Sequence, residues 1–176
     1  MPSSLSTQEM KYYMLHYYRF QRQCPIASTE VGVFGNYIAD VLVSDFNEFT
    51  EVEIKISEGD FIADFTHKSS KHTAYLDSTL NKVATLSDSD RKYMPNRFYY
   101  AVPKELARFA LANVKDTPYG LIYVDPKDSK LSMNSFVKIV KHSAIISRPY
   151  PKGLEKRAIA RMSSELVNMY ECLLDI

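Results

Sequence analysis

Three charged side chains on two predicted neighbouring strands have the types and spacing for joint chemistry: Asp40, Glu53 and Lys55. Asp40 lies in the apolar stretch IADVLV, where a carboxylate needs a partner or a metal ion. Alternation along the second strand places Glu53 and Lys55 on one side and Val52 and Ile54 on the other. If the two strands pair as a hairpin, Asp40 comes within reach of Glu53.

Two carboxylates aimed at one point bind a hard divalent cation, with oxygens at about 2.1 Å for Mg²⁺. The backbone carbonyl of Ile54 can be a third ligand. Lys55 would orient or deprotonate water, or neutralise a phosphoryl oxygen. This set suits metal-assisted phosphodiester hydrolysis, with Mn²⁺ as a substitute for Mg²⁺. The alternative is a solvated Glu–Lys pair on a strand surface.

The elements that must position these residues follow from periodicity and turn signals. Ser6 to Glu9 has the sequence of a capping box, and an aromatic-rich helix is predicted from there to about residue 23. Strands are predicted at 29–34, 37–43, 49–56, 97–102, 120–124 and 136–140. Further helices are predicted at 58–80, interrupted at 69–70, and at 104–113 and 152–174. This order predicts an α/β fold, a mixed central sheet flanked by helices, in one domain over residues 1–176.

The sequence resembles a known superfamily in the order and spacing of several segments across residues 29–125. These segments are YIADVLV, EVEIKIS, the spaced Asp60 and Asp64 with Lys68, RFYYAVP and GLIYVD. They are similar to the PD-(D/E)XK, or restriction-endonuclease-like, superfamily, and within it to the MmcB-like DNA-repair nucleases. Two positions depart from the pattern: Ala39 stands where the motif's name has Pro, and Tyr37-Ile38 replaces a basic pair.

The resemblance implies a restriction-endonuclease-like core and Mg²⁺-dependent cleavage of DNA. Asp40 and Glu53 would hold the metal, and Lys55 would serve catalysis. A further acidic residue from the first helix or first strand often helps such sites, and the candidates are Glu9 and Glu30. Glu9 also has its capping-box explanation, and Glu30 is either a site residue or part of the sheet edge.

Two groups of cations are candidates for contact with nucleic acid. Lys68, Lys71, His72 and Tyr75 fall at i, i+3, i+4 and i+7, so one helix face would carry all four. A second cluster near the start of the last helix includes Arg157 and Arg161. Each group is either a phosphate-contacting surface or a solvated helix face.

Composition excludes several classes of protein. The 176 residues are 45% hydrophobic and 24% charged, which excludes disordered and fibrous chains. A formal net charge of +1 excludes a globally basic nucleic-acid coat. No apolar run approaches the ~20 residues that span a bilayer, so no membrane association is expected. The two cysteines lie far apart in sequence and the amino terminus lacks a signal-peptide core, which together favour a cytoplasmic protein.

Two other functions remain open from the sequence. The first is a non-catalytic nucleic-acid-binding or assembly protein that keeps the nuclease fold, since fold alone does not give function. The second is a small-molecule or protein-interaction domain. The oligomeric state is also open, and a homodimer is among the alternatives.

Overall fold

The computed structural model describes residues 5–79, 87–126 and 136–174. Its strands form one mixed sheet: β1 (Ile26–Gly32), β2 (Ile38–Ser44), β3 (Phe49–Ile54), β4 (Arg97–Pro103), β5 (Gly120–Val124) and β6 (Val137–Lys141). The strands lie across the sheet in the order in which they occur along the chain. β1, β2 and β3 are antiparallel, β3, β4 and β5 are parallel, and β6 returns antiparallel to β5.

Helices cover the sheet: α1 (Thr7–His16), α2 (Glu58–His67), α3 (Ser69–Thr79), α4 (Asp88–Arg91), α5 (Ala107–Val114) and α6 (Lys152–Leu174). A π-helical turn, Tyr17–Gln21, continues α1. The predicted α/β class with a mixed sheet flanked by helices is confirmed, in an arrangement consistent with a restriction-endonuclease-like core. Within the described residues, no helix combines the length and apolar character needed to cross a lipid bilayer.

The core lies on both faces of the sheet because the strands alternate. Met10 and Met14 of α1 pack against Val52 and Ile54 of β3 on one face. On the other face, aromatic residues of α2 and α3 pack against β4, among them Phe61. A third cluster joins Leu154 and Ala158 of α6 to β1 and β2. The predicted division of β3 into an apolar side and a charged side is therefore confirmed.

Both predicted hairpin turns are present, and they fix the pairing of the first three strands. Gly35 and Asn36 have φ of 63° and 65°, a left-handed conformation that glycine and asparagine tolerate best. In the second turn, Oδ1 of Asp45 accepts the backbone N–H groups of Asn47 and Glu48 at 2.9 and 3.0 Å. Short turns leave little freedom of register, so they determine which residues face each other across the hairpins.

Several element boundaries differ from the predicted ones. β1 begins at Ile26 instead of residue 29, and β3 ends at Ile54 instead of residue 56. β3 stops early because Ser57 leaves the sheet and caps α2, where its side chain accepts the N–H of Asp60 at 3.1 Å. The helical break lies at Lys68, with φ −111° and ψ 30°, and α3 already begins at Ser69. The predicted helix end at residue 80 lies outside the described residues.

Candidate active site

Asp40, Glu53 and Lys55 come together where β2 meets the end of β3. The ladder pairs Val41 with Val52, and the same antiparallel register places Asp40 opposite Glu53. Oδ2 of Asp40 accepts the backbone N–H of Ile54 at 2.8 Å. Nζ of Lys55 lies 3.0 Å from Oε1 of Glu53. The predicted proximity of the three side chains is confirmed.

Glu53 is buried and surrounded by lysines. Besides Lys55, the ammonium of Lys68 bonds Oε1, and Nζ of Lys71 lies 3.2 Å from Oε2. Burial would raise the pKa of the Glu53 carboxyl, but Lys71 and the other lysines outweigh it and hold that pKa below its usual value. Both oxygens of Glu53 therefore already face cations supplied by the protein itself.

Asp64 of α2 is a second buried carboxylate beside Lys55. Its Oδ1 lies 2.9 Å from Nζ of Lys55 and 3.1 Å from Nζ of Lys68. Its Oδ2 lies 3.0 Å from Nε2 of His72 and accepts the hydroxyl of Tyr100 at 2.8 Å. Although burial opposes ionisation, these neighbours hold the pKa of Asp64 well below its ordinary value. Asp64 therefore stays ionised and anchors both lysines.

Glu51, two residues before Glu53 on the same side of β3, forms a deeper layer. Its carboxylate bonds the ammonium of Lys71 and accepts the hydroxyl of Tyr75 at 2.5 Å. Glu51, Lys71 and Tyr75 are each fully buried. Burial alone would lower the pKa of Lys71, but the carboxylates of Glu51 and Glu53 raise it above the ordinary lysine value. This ion pair is part of the protein interior.

The break between α2 and α3 lets two helices converge on one strand. Lys68 has a non-helical conformation, so α3 starts in a new direction. Lys71 of α3 reaches both Glu51 and Glu53, while Asp64 of α2 reaches Lys55 at the end of β3. Lys68 itself bridges Glu53 and Asp64 from the more open side, with 26% of its side chain exposed.

The structure corrects the predicted phosphate-contacting face of Lys68, Lys71, His72 and Tyr75. The four residues do share one side of the chain, but that side faces the sheet. Lys71 and Tyr75 are 0% exposed and His72 is 5% exposed, so none of these three presents a surface to a ligand. Their polar groups bond buried carboxylates instead. Only Lys68 remains within reach of a phosphate.

The second basic cluster is also engaged. Nη1 of Arg157 donates to the carbonyls of Gly32 and Val33 at 2.9 and 3.1 Å, and its guanidinium lies 3.5 Å from the ring centre of Tyr93. Arg161 donates to the carbonyl of Thr29 and also pairs with two carboxylates. Both arginines therefore tie α6 to β1, a structural role that neither predicted alternative, a phosphate-contacting surface or a solvated helix face, included.

Neither candidate for a further acidic ligand is free. Glu9 completes the predicted capping box: its carboxylate accepts the N–H of Ser6 at 2.8 Å, and the Ser6 hydroxyl accepts the N–H of Glu9. Glu30 lies across from Asp40 in the β1–β2 register but pairs with Lys11 at 2.8 Å and Arg161 at 3.2 Å. Its φ is 52°, a strained conformation for glutamate, beside the candidate site.

Asp40 differs from the other carboxylates of the site. Burial, followed by the charge of Glu53, raises its pKa above the ordinary value, against the hydrogen bond from Ile54. Among the residues described, no ammonium or guanidinium group forms an ion pair with it. Over the same residues, no group of three or more His, Cys, Asp or Glu side chains is arranged to hold a metal ion.

Comparisons with known proteins leave the family open. No protein-family model matches the chain, and no curated protein matches it. A solved structure, a protein of unknown function from Silicibacter pomeroyi, is similar to it with a TM-score of 0.60 and 16% sequence identity. The alignment covers 98% of this chain and 94% of that one. At this identity the likeness extends to the fold alone.

Proposed function

We propose that the protein is a Mg²⁺-dependent nuclease that hydrolyses phosphodiester bonds in DNA, of the PD-(D/E)XK kind. The observation that carries this proposal is the Asp40 carboxylate. It is partly buried, its pKa is raised, and it lies opposite Glu53 without a cation partner in the described structure. An ionised carboxylate that is partly buried beside a second carboxylate is energetically costly unless a cation binds there. This cost supports a cation-binding role for Asp40.

The donor set fits a hard divalent cation under one condition. Asp40 of β2 can contribute an oxygen in its present position, and the backbone carbonyl of Ile54 lies at the end of the neighbouring strand, β3. Glu53 can contribute Oε1 only if Lys68 moves away, and Lys68 is the partly exposed lysine of the three around Glu53. When bound, the metal would supply an activated water and neutralise charge on the phosphate.

Lys55 contributes to this function as a fixed positive charge. Burial would lower the pKa of its ammonium, but Glu53 and Asp64 outweigh burial and raise that pKa above the ordinary lysine value. Lys55 therefore carries a positive charge at neutral pH in this arrangement. Of the roles that its position allows, we favour neutralising a phosphoryl oxygen as negative charge develops there.

Asp40→Asn should abolish Mn²⁺ binding, because it removes an anionic ligand while nearly preserving the side-chain shape. Titration calorimetry of the folded variant measures this directly. Asp116→Asn is the matched control, since the Asp116 side chain is 87% exposed, and it should bind Mn²⁺ like the unmodified protein. Unchanged metal affinity in Asp40→Asn would show that the metal site is assigned wrongly.

Lys68→Ala should strengthen the binding of Mn²⁺ and weaken the electrostatic part of DNA binding. It removes the cation that competes for Oε1 of Glu53, so Mn²⁺ should bind more tightly in the absence of DNA. It also removes one phosphate contact, so the slope of log affinity against log salt on duplex DNA should flatten by about 0.9.

Lys156→Ala, at an exposed position of α6, serves as the control for Lys68→Ala and should change neither quantity. Weaker Mn²⁺ binding in Lys68→Ala would mean that Lys68 organises the ligands instead of competing with the metal.

A second function, a non-catalytic nucleic-acid-binding or assembly protein, is favoured by the lysines around Glu53. They balance its charge without a metal, as a structural ion network would. A gel assay on single-stranded, nicked, flapped and duplex DNA, with and without Mn²⁺, separates the two functions. Metal-dependent cleavage supports the nuclease, and binding without cleavage or metal affinity supports the second function.

We place either function in the cytoplasm. Both cysteines are free: Cys24 is buried and Cys172 is exposed. Unpaired thiols suit a reducing compartment.

A further inference from the structure

The last three turns of α6 carry a large apolar surface away from the body of the protein. Leu154 and Ala158, near the start of the helix, are fully buried against β1 and β2. From residue 163 to residue 174 no side chain is buried. The exposed large apolar residues in this stretch are Leu166, Val167, Met169, Tyr170, Leu173 and Leu174, with 54 to 75% of each accessible.

Leu166, Met169 and Leu173 continue a spacing that is typical of a helix packed against another helix. Ile159, Met162, Leu166, Met169 and Leu173 are separated by three, four, three and four residues. That is the a and d pattern of a heptad repeat, whose apolar seam is buried only when a second helix lies along it. Ser164, Asn168 and Glu171 of the same turns lie on the opposite side, and Glu165 faces β1, where it accepts the hydroxyl of Thr29 at 2.6 Å.

An apolar groove continues this seam. Residues of α1 and of the π-helical turn line it, with Tyr12, Leu15 and Phe20 on one side and Met162 of α6 on the other. Its volume is about 210 Å³, and Tyr12 and Phe20 are 51% and 67% exposed. Because Met162 belongs to both, the groove and the seam form one continuous apolar surface, which we call the α1–α6 surface.

We propose that the α1–α6 surface is the interface of a homodimer, in which the projecting end of α6 of each copy lies along α6 and α1 of the other. The two helices run antiparallel. Lys152 and Lys156 at the start of α6 are exposed cations, and Glu171 near its end is an exposed anion. Antiparallel pairing places the basic start of each helix near the end of the other that carries Glu171, whereas parallel pairing places the two basic starts side by side.

The area and the symmetry both fit a second copy of this chain. The six residues at the end of α6, with Tyr12 and Phe20, each expose about half of their surface or more. Together they present on the order of 800 Å², which each partner contributes to a standard stable interface. In a two-fold dimer the same patch is used on both copies, and a seam beside a groove is self-complementary in this way.

Light scattering coupled to size-exclusion chromatography tests the dimer on the full chain. The unmodified protein should have twice the mass of one chain, and Leu166→Glu with Leu173→Glu should give the mass of a single chain. At low protein concentration this double variant should have the same circular dichroism spectrum and thermal unfolding midpoint as the unmodified protein, because neither Leu166 nor Leu173 belongs to a core cluster. Phe46→Glu, at a residue 58% exposed in the β2–β3 turn, is the control and should stay dimeric.

Two results would overturn the proposed dimer: an unmodified chain that is monomeric above micromolar concentration, whether or not it binds lipid vesicles, or a dimer that persists in the double glutamate variant.

Cross-linking tests the direction of the helices. Antiparallel packing of Met162 against Leu166 of the second copy places the two-fold axis near Ser164. Ser163→Cys in a Cys172→Ser background should therefore form a disulfide dimer under mild oxidation. The native Cys172 should not, and an efficient Cys172 cross-link would overturn the antiparallel arrangement.

Discussion

Replacing Lys55 with alanine is expected to lower DNA cleavage by about 100- to 1,000-fold while leaving Mn²⁺ bound. The ammonium is fixed by Glu53 at 3.0 Å and by Asp64 at 2.9 Å, so its charge is preorganised at the end of β3. An ammonium cannot coordinate a cation, and its removal deletes stabilisation of the phosphate without deleting a metal ligand. Single-turnover cleavage of end-labelled duplex DNA, with Mn²⁺ affinity measured by calorimetry, separates the two effects.

The control for this prediction is Lys115→Ala, at a side chain 66% exposed, which should cleave at the normal rate. If Lys55→Ala loses metal binding along with activity and still folds, Lys55 organises the ligands and its proposed role is wrong.

Lys71→Ala is expected to destabilise the protein by about 3–5 kcal/mol, because it leaves Glu51 buried without its counter-charge. Lys71 and Glu51 are both fully buried, so water cannot replace the missing ammonium. Urea unfolding followed by circular dichroism gives the free energy of unfolding. Lys68→Ala is the matched comparison. It should lower the free energy of unfolding by about 1 kcal/mol or less, since the Lys68 side chain is 26% exposed and water can take its place beside Glu53.

A double variant tests the reason for this loss. Glu51→Gln with Lys71→Met removes both charges, and should recover much of the stability lost in Lys71→Ala. A stable Lys71→Ala protein with weakened DNA binding would instead return Lys71 to the phosphate-contacting role predicted from the sequence.

The pairing of Asp40 with Glu53 could be predicted because short turns leave one register for β2 and β3. The spacing between the two carboxylates then follows from counting along the strands. Lys55 follows from the two-residue alternation of β3. This part of the site depends on local geometry, which the sequence specifies well.

The role of Glu51 and Asp64 could not be predicted in the same way. Their partners include Lys71 of α3, Lys55 at the end of β3 and Tyr100 of β4, and such contacts depend on how each helix is rotated against the sheet. Helical periodicity predicts which residues share a helix face. It does not predict whether a face with both polar and apolar residues points to water or to the core. The available signal is the pair of carboxylates two residues apart on β3, Glu51 and Glu53, followed by a helix face that mixes lysine with tyrosine.

The docking of α6 on β1 has a consequence for synthesis of the chain. α6 is the last element described, yet it covers the first strand and bonds its backbone carbonyls through Arg157 and Arg161. A chain made from its amino terminus can pair its strands in order, since each strand neighbours the one made before it. The apolar side chains of β1, Ile26 and Val31, stay uncovered until α6 has emerged from the ribosome. That interval is when the nascent chain is most open to association with other chains and to chaperone binding.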